Sequence, residues 1–525
     1  MKKRFNDTGS CNPQMHFIVD ISNKLNKIIE LIERGLYFTM NRPRQYGKTT
    51  TQFLLTKRLI QNEDYMFIRI SFEGVGETMF TTETNFCQGL TGLFIKRTKQ
   101  FYPSVSEFFT EIKDSVVNFD ILSETISQFI AKIQKKVVLI IDEVDKSSNN
   151  QLFLNFLGML RSKYLLRNDG EDFTFQSVIL GGVYDIKTIK LKLHPDTSEK
   201  YNSPWNIAVD FNIDLSFSAK EIESLLADYS VYNKILMDIP VIAERIYYYS
   251  MGYPYLVSKL CKVVDEELLP HRKNQNRWES DDIDDAYKYL VNPEYSTTLF
   301  DSLIKNLEND IDLYNVVQNI VLNGFQLPFN VNEPQVNLGA IYGILSPKNG
   351  ICVVNNLIFE QRIYNYLIAK KIVSEQKLNF VEAVGKYNPD GTLNFPVILK
   401  RFQQFMKENY TEKDIPFIER EGRLLFLSFL KPIINGKGFD FKEPVVGDER
   451  RMDIVITFNN IRDVIELKIW RGNEYHQTGL QQLSDYLDIY SLKKGYLLIF
   501  NFNASKAYKE ELIHFKDKEI FAAWV

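Results

Sequence analysis

The chain has 525 residues, 45% hydrophobic and 25% charged, with a formal net charge of -4. That composition excludes a disordered polymer and gives enough chain for several folded domains. The charge balance gives no whole-molecule attraction to nucleic acid, so any such surface has to be local. Cys11, Cys87, Cys261 and Cys352 are far apart, with no CxxC pair and no histidine at metal-ligand spacing. This pattern points to reduced thiols and a cytoplasmic setting. The basic start "MKKRFNDTGS" leads into no apolar run, so no secretion signal is expected. The longest apolar runs, such as "VVLII", are strand-length, and no membrane association is expected.

"LYFTM" (Leu36 to Met40) reads as a strand running into the loop "NRPRQYGKTTT". Behind the loop, Phe53, Leu54, Leu55, Leu59 and Ile60 recur at helical spacing. Further strands are read at "YMFIRISF", "KKVVLIID", "FQSVILGGV" and "NIAVDFNIDL", most of them separated by helical patterns. Continuous apolar strands alternating with helices predict an α/β fold with a parallel sheet covered on both faces.

From about Phe217 the pattern turns helical. "FSAKEIESLLADY" opens with Ser218 as a candidate N-cap and Glu221 three residues on, a capping-box spacing. Gly252 and Pro254 in "MGYPYLVSKLC" mark a turn between helices, which continue to about Asn323. "LGAIYGILSPKNGICVVNNLIFEQRIYNYL" then reads as helix, hairpin and helix, turning at Lys348-Asn349-Gly350, the order a winged helix needs. Residues from Ser374 to Arg420 read as a mostly helical connector with a turn at "NPDGTLNFP". From Glu421 come the helix "EGRLLFLSFLKPII", the strands "RMDIVIT" and "RDVIELKIW", the helix "GLQQLSDYLDIY" and the strand "KGYLLIFNF", a second and smaller α/β domain. The expected divisions are 1–216 (nucleotide-binding core), 217–323 (helical lid), 324–373 (winged helix), 374–420 (connector) and 421–525 (second α/β domain).

Taken alone, Gly47-Lys48-Thr49 fits a basic turn as well as a phosphate loop, and Arg42 stands where such loops open with glycine. "VVLIIDEVD", an apolar strand ending in Asp142-Glu143, favours the phosphate loop. A strand, a tight loop and a helix N-terminus together make an anion site. Pro43 sets one turn angle, and Arg44, Gln45, Tyr46, Gly47, Lys48, Thr49 and Thr50 supply the rest of the loop and its backbone donors. Lys48 is expected to reach the β- and γ-phosphates, and Thr49 and Asp142 to hold Mg²⁺ or Mn²⁺. Glu143 is expected to polarise the attacking water. Arg42, Arg44 and Arg161 are each either phosphate neighbours or surface charges, and none is identified as an arginine finger.

These two motifs resemble those of the AAA-like ATPases of the P-loop class, close to the STAND signalling branch. The resemblance spans about residues 15 to 370. It implies ATP as the ligand and a lid whose glycine-x-proline segment, here Gly252 and Pro254, contacts nucleotide. It also implies a sensor strand at "VILGGVYDI" and regulated self-association into a homo-oligomer.

In the last domain Glu466 and Lys468 alternate on an apolar strand and therefore share one face. Charges at both positions are costly to bury without a purpose. A hairpin would set Asp453 beside Glu466, and two such carboxylates suit Mg²⁺ with open water positions. Lys468 would orient or help deprotonate that water. The set resembles the PD-(D/E)XK nuclease superfamily over about residues 380 to 525. The resemblance implies an added acidic residue, Glu421, on the preceding helix, and a QxxxY pair, Gln482 and Tyr486, on the following one. Arg451 shares the face of Asp453. Arg471 and His476 read as a polar loop, and Trp470 as core.

Together the two ends read as an ATP-binding and hydrolysing switch ahead of a metal-dependent nuclease. DNA is favoured over RNA as its nucleic-acid partner, and the resemblance implies a role in defence against foreign DNA. Two alternatives stay open. One is a nucleotide-switched nucleic-acid-binding protein with a non-cleaving C-terminal domain. The other is a mobile-element ATPase reading DNA through the winged helix, whose basic residues are mainly Lys348 and Arg362.

Overall fold

In this computed structural model the described residues are 2–144, 151–182, 205–272, 275–292, 294–323, 325–374, 392–409, 422, 425–427, 429–430, 438–442, 453–458, 461–470, 473–502 and 508–525. They fall into two compact units, Met1–Asn292 with Leu338–Ile344, and Pro293–Asn337 with Leu345–Val525.

The first unit opens with α1 (Ser22–Glu33), β1 (Phe38–Asn41), α2 (Lys48–Leu59) and β2 (Tyr65–Ser71). Three helices follow, α3 (Glu83–Thr98), α4 (Pro103–Ile112) and α5 (Phe119–Ile133), then β3 (Lys136–Asp142), α6 (Gln151–Asp169) and β4 (Ser177–Gly182). Among the described residues the strands form a four-stranded sheet in the order β1-β4-β3-β2. Every pairing in it is parallel, as the uninterrupted apolar runs predict. All of β3 after Lys136 is buried. The inserted helices bring aromatic rings to the sheet: Phe94 meets Phe109 at 5.3 Å, and Phe109 meets Phe129 at 5.0 Å between centroids. Each such buried ring contributes roughly 2–3 kcal/mol of transfer free energy. Because the strands are parallel and β4 lies between β1 and β3, the loop after β1 and the end of β3 open at the same C-terminal end of the sheet with a single strand between them.

The segment "NIAVDFNIDL" is not a strand. It touches the sheet at one parallel bridge, Val209 beside Phe38, with the Val209 N–H donating to the Tyr37 carbonyl. The reason is a partner distant in sequence. The Arg42 guanidinium takes the carbonyls of Phe211 and Ile213, at 3.1 and 2.7 Å, as hydrogen-bond acceptors. A charged side chain thus replaces the ladder that the apolar pattern anticipates.

Four more helices complete this unit: α7 (Ala219–Asn233), α8 (Ile239–Ser250), α9 (Pro254–Val263) and α10 (Ser280–Val291). The capping box at Ser218 and Glu221 forms as its spacing predicts. Met251 and Gly252 are both left-handed, at φ 47° and 71°, and Pro254 opens α9. A Cβ on Gly252 would stand 1.8 Å from the Phe217 carbonyl oxygen. The Gly252 carbonyl also accepts the Phe217 N–H at 2.8 Å. We therefore expect Gly252→Ala to destabilise the protein by about 3 kcal/mol or more, from backbone strain and the lost bond together. An unchanged thermal unfolding midpoint for that variant would contradict this account.

The second unit begins with α11 (Thr298–Glu308), α12 (Ile311–Asn323) and α13 (Pro334–Ile341), whose last residues are grouped with the first unit. The hairpin of β5 (Leu345–Lys348) and β6 (Ile351–Val354) turns through Asn349 and Gly350 at φ 50° and 77°. Two consecutive positive φ angles are what a two-residue hairpin of this twist requires. The helices α14 (Leu357–Ser374) and α15 (Phe395–Asn409) follow. The expected turn at "NPDGTLNFP" falls partly outside the described residues.

The remaining elements are β7 (Gly438–Lys442), β8 (Asp453–Phe458), β9 (Ile461–Ile469), α16 (Asn473–Ile489), β10 (Lys494–Phe500), β11 (Glu510–Phe515) and β12 (Lys518–Trp524). Among the described residues they form a six-stranded sheet in the order β11-β12-β10-β9-β8-β7. The β9, β10 and β12 strands run parallel, flanked by antiparallel neighbours. Leu480, Leu483 and Leu487 of α16 share a core with Val464, Leu497 and Ile499 of the sheet.

Asp463, on β9, is half-buried, and burial pushes its carboxyl up to about 6. The unfolded chain ionises this group first, so its own contribution to stability falls as pH rises from the ordinary carboxylate range to about 6 and is flat above it. Asp463→Asn is expected to stabilise the protein by about 2 kcal/mol above pH ~6.5 and to change nothing below pH ~3.5. Unfolding midpoints across that range check this, and a gain that is independent of pH would contradict it.

Candidate functional site

β1 delivers the chain into the loop at residues 42–47, and Gly47 ends it at φ 79° as the N-cap of α2. That conformation favours glycine. Gly47 offers no side chain to cap this helix end, whose first N–H groups lie at the positive pole, suited to an anion. Lys48 is buried, and its Nζ donates to the carbonyls of Arg42 at 2.7 Å and Pro43 at 2.9 Å. The lysine is thus folded over its own loop. Arg44 and Gln45 are exposed, and Gln45 is left-handed at φ 55°.

The inward stripe of α2 is not the apolar set its pattern suggests. Lys48, Thr51, Gln52, Leu55 and Leu59 are buried, while Ile60 is 43% exposed. The first turns of this helix face the polar end of β3. Asp142 is 5% exposed and accepts hydrogen bonds on both oxygens. The Glu143 N–H at 3.1 Å and Gln52 Nε2 at 3.4 Å donate to Oδ1. The Thr49 hydroxyl at 3.4 Å and an Arg69 guanidinium nitrogen at 3.5 Å donate to Oδ2. Thr49 and Asp142 are therefore in contact, an oxygen pair suited to a hard divalent cation. Glu143 follows at φ 56°, an uncommon conformation for a residue with a side chain.

The loop is also packed against α9. The Tyr253 hydroxyl donates to the Arg44 carbonyl, and the Tyr46 ring stands edge-on to that of Tyr253 at 4.8 Å. Burial pushes the Tyr46 phenol up to about 12. Pro254 lies 3.6 Å from where a Cβ on Gly47 would stand. Pro43 is crowded by Gly343, whose added Cβ would come within 2.7 Å of it. Thr50 accepts the Cys11 N–H at 3.0 Å. The structure thus brings together every expected loop residue, Asp142, Glu143 and the Pro254 segment. Gly252 serves close backbone approach to Phe217.

Two arginines depart from the sequence reading. Arg42 is engaged by the carbonyls described above and lies over the Phe211 ring at 5.2 Å, a role the sequence did not suggest. Arg69, unremarked in the sequence, contacts Asp142. Its signal was present, since one charge interrupts the apolar strand "YMFIRIS". Gln52 had a signal too, as a polar residue one turn after Lys48. Arg161 lies on α6 with its Nε buried. Residues 183–186 of the expected sensor strand lie outside the described residues.

A second constellation stands in the six-stranded sheet. Asp453 is opposite Glu466 in the β8–β9 register, as a hairpin predicts. Glu466 and Lys468 are 2% and 8% exposed and form an ion pair at 2.7 Å. Lys468 also donates to the side-chain amide oxygen, Oε1, of Gln482 at 2.8 Å. Tyr486 packs on the α16 core one turn further along. His476 is flanked by Trp470 at 5.4 Å and Trp524 at 5.9 Å. Glu421, Arg451, Arg471 and the Asp453 side chain lie outside the described residues. No three His, Cys, Asp or Glu side chains gather among the described residues. No helix there is long and apolar enough to cross a membrane.

A family model described as an AAA-like domain matches residues 8–323. The solved Walker-type ATPase PABY2304 of Pyrococcus abyssi is 11% identical, with a TM-score of 0.46 over 69% of this chain and 99% of that one. The Aeropyrum pernix ORC1 protein in complex with DNA is 11% identical, with a TM-score of 0.31 over 68% of this chain and 94% of that one. The Thermotoga maritima RuvB Holliday junction branch migration motor is 14% identical, with a TM-score of 0.33 over 66% of this chain and 95% of that one. No curated protein matches the chain.

Proposed function

The chain belongs to the AAA-like domain family, and from that premise we propose that it binds and hydrolyses ATP at the loop of residues 43–50 and uses the nucleotide to control a C-terminal nuclease. The observation that carries the first half is the contact between Thr49 and Asp142, next to the open end of α2. Those two residues would hold Mg²⁺, which supplies charge neutralisation for the phosphates. Lys48 turns from its loop carbonyls to the β- and γ-phosphates. Glu143 accepts a proton from the attacking water. Tyr253 and Pro254, packed on the loop, make its conformation sensitive to the helices around them. Phosphate release from ATP by the wild-type chain, with and without Mg²⁺, tests this. No release and no nucleotide binding would sink it.

The second half rests on the buried Glu466–Lys468 pair with Gln482 alongside and Asp453 in register. Asp453 and Glu466 would hold the metal, with Glu421 as an added acid. Lys468, held by Glu466 and Gln482, orients the water that attacks phosphorus. Tyr486 supports Gln482 from the same helix. The divisions 1–216, 217–323, 324–373, 374–420 and 421–525 describe the proposed core, STAND-like lid, winged helix, connector and effector. A homo-oligomer and a cytoplasmic role in defence against foreign DNA complete the proposal. They rest on the order of the modules and on no single residue.

A further inference from the structure

The two oxygens of Asp142 are held unequally. Oδ1 is fixed by two neutral donors, the Glu143 N–H and the Gln52 amide. Oδ2 lies toward Thr49 and carries a cation, Arg69, at 3.5 Å. The register brings the arginine there: Ser71 pairs with Asp142, and Arg69 shares the face of Ser71 two residues earlier. Among the described residues Arg69 forms one ion pair, this one. Its side chain keeps 28% exposure, so it has solvent to swing into.

Resting on the ATPase reading above, we propose that Arg69 sets the magnesium requirement of the site by competing with Mg²⁺ for Oδ2 of Asp142. A guanidinium does not lose its proton in a protein, so Oδ2 is cleared only by moving it. Without Arg69, the two bonds on Oδ1 keep the carboxylate oriented, and its charge is no longer offset. Removing this arginine therefore strengthens metal binding, whereas losing an ordinary structural ion pair would weaken the site.

The test uses the full chain. Binding of a fluorescent ATP analogue is titrated against Mg²⁺, and Mn²⁺ binding in the presence of ATP is read by electron paramagnetic resonance. Arg69→Gln is expected to lower the half-saturating metal concentration about fivefold, with metal-free nucleotide affinity unchanged. Arg69→Lys keeps the charge and stays within about twofold of wild type. An unchanged or raised requirement in folded Arg69→Gln would overturn the proposal while leaving nucleotide binding intact. Arg69→Met is the second uncharged variant. If both uncharged variants fail to fold while Arg69→Lys folds, the arginine is structural and the proposal falls. Wild-type protein that binds no nucleotide would overturn the ATPase reading and this inference with it.

Discussion

Replacing Lys48 with alanine is expected to weaken ATP binding about a hundredfold and to abolish hydrolysis. The ammonium sits inside the loop, held by the Arg42 and Pro43 carbonyls within 2.9 Å. A phosphate entering the loop offers it a full negative charge in place of two carbonyl dipoles. Losing a buried charge-assisted contact of this kind costs roughly 3 kcal/mol, or about a hundredfold. Much of the loop does not depend on the lysine. Gly47 ends it at φ 79°, Tyr253 holds the Arg44 carbonyl, and the Thr51 hydroxyl donates to the Gly47 carbonyl. The variant should therefore keep most of its thermal stability, and equilibrium binding of a fluorescent ATP analogue measures the loss. Affinity within about threefold of wild type would mean that this lysine does not bind phosphate.

The second large effect concerns the other end of the chain. Asp453→Ala is expected to reduce metal-dependent cleavage of DNA about a thousandfold. In the proposed site Asp453, opposite Glu466 in the strand register, would supply the second carboxylate of a metal pair. Substituting Glu466 is a poorer test, because it strips Lys468, 8% exposed, of a partner at 2.7 Å and threatens the fold. Asp453 is the first residue of β8, and its substitution leaves the Glu466–Lys468 pair in place. Plasmid and RNA substrates with Mg²⁺ or Mn²⁺ show the effect and identify the nucleic acid cut. Full cleavage by Asp453→Ala would place the chemistry elsewhere, and no cleavage by wild type would favour a binding role for this domain.

Much of this was legible in the residues because the signals were local. The β3 run "VVLIID" could not be anything but a buried strand, and its terminal carboxylate had one end of the sheet to occupy. Ser218 with Glu221, and Asn349 with Gly350, specify a cap and a turn within four residues. Glu466 and Lys468 stood out because charge at alternate positions of an apolar strand has to be satisfied from one side. What escaped was non-local. "NIAVDFNIDL" has a strand's composition, but its carbonyls are claimed by Arg42, far away in sequence. Arg69 could be recognised as odd in its strand, but its partner depended on the parallel register of β2 with β3. Phe53 and Leu54 are apolar at helical spacing yet only half-buried, and the helix turns Gln52 inward, because its first turns meet a carboxylate rather than an apolar wall.

In the proposed function, nucleotide bound at Lys48 governs catalysis at Asp453. The most direct measurement is DNA cleavage by the full chain with Mg²⁺, with and without ATP, for wild type and for Lys48→Ala. ATP is expected to change the cleavage rate of wild type and to leave that of Lys48→Ala unaltered. Equal response to ATP in both proteins, or none in wild type that cleaves DNA and binds ATP, would contradict it.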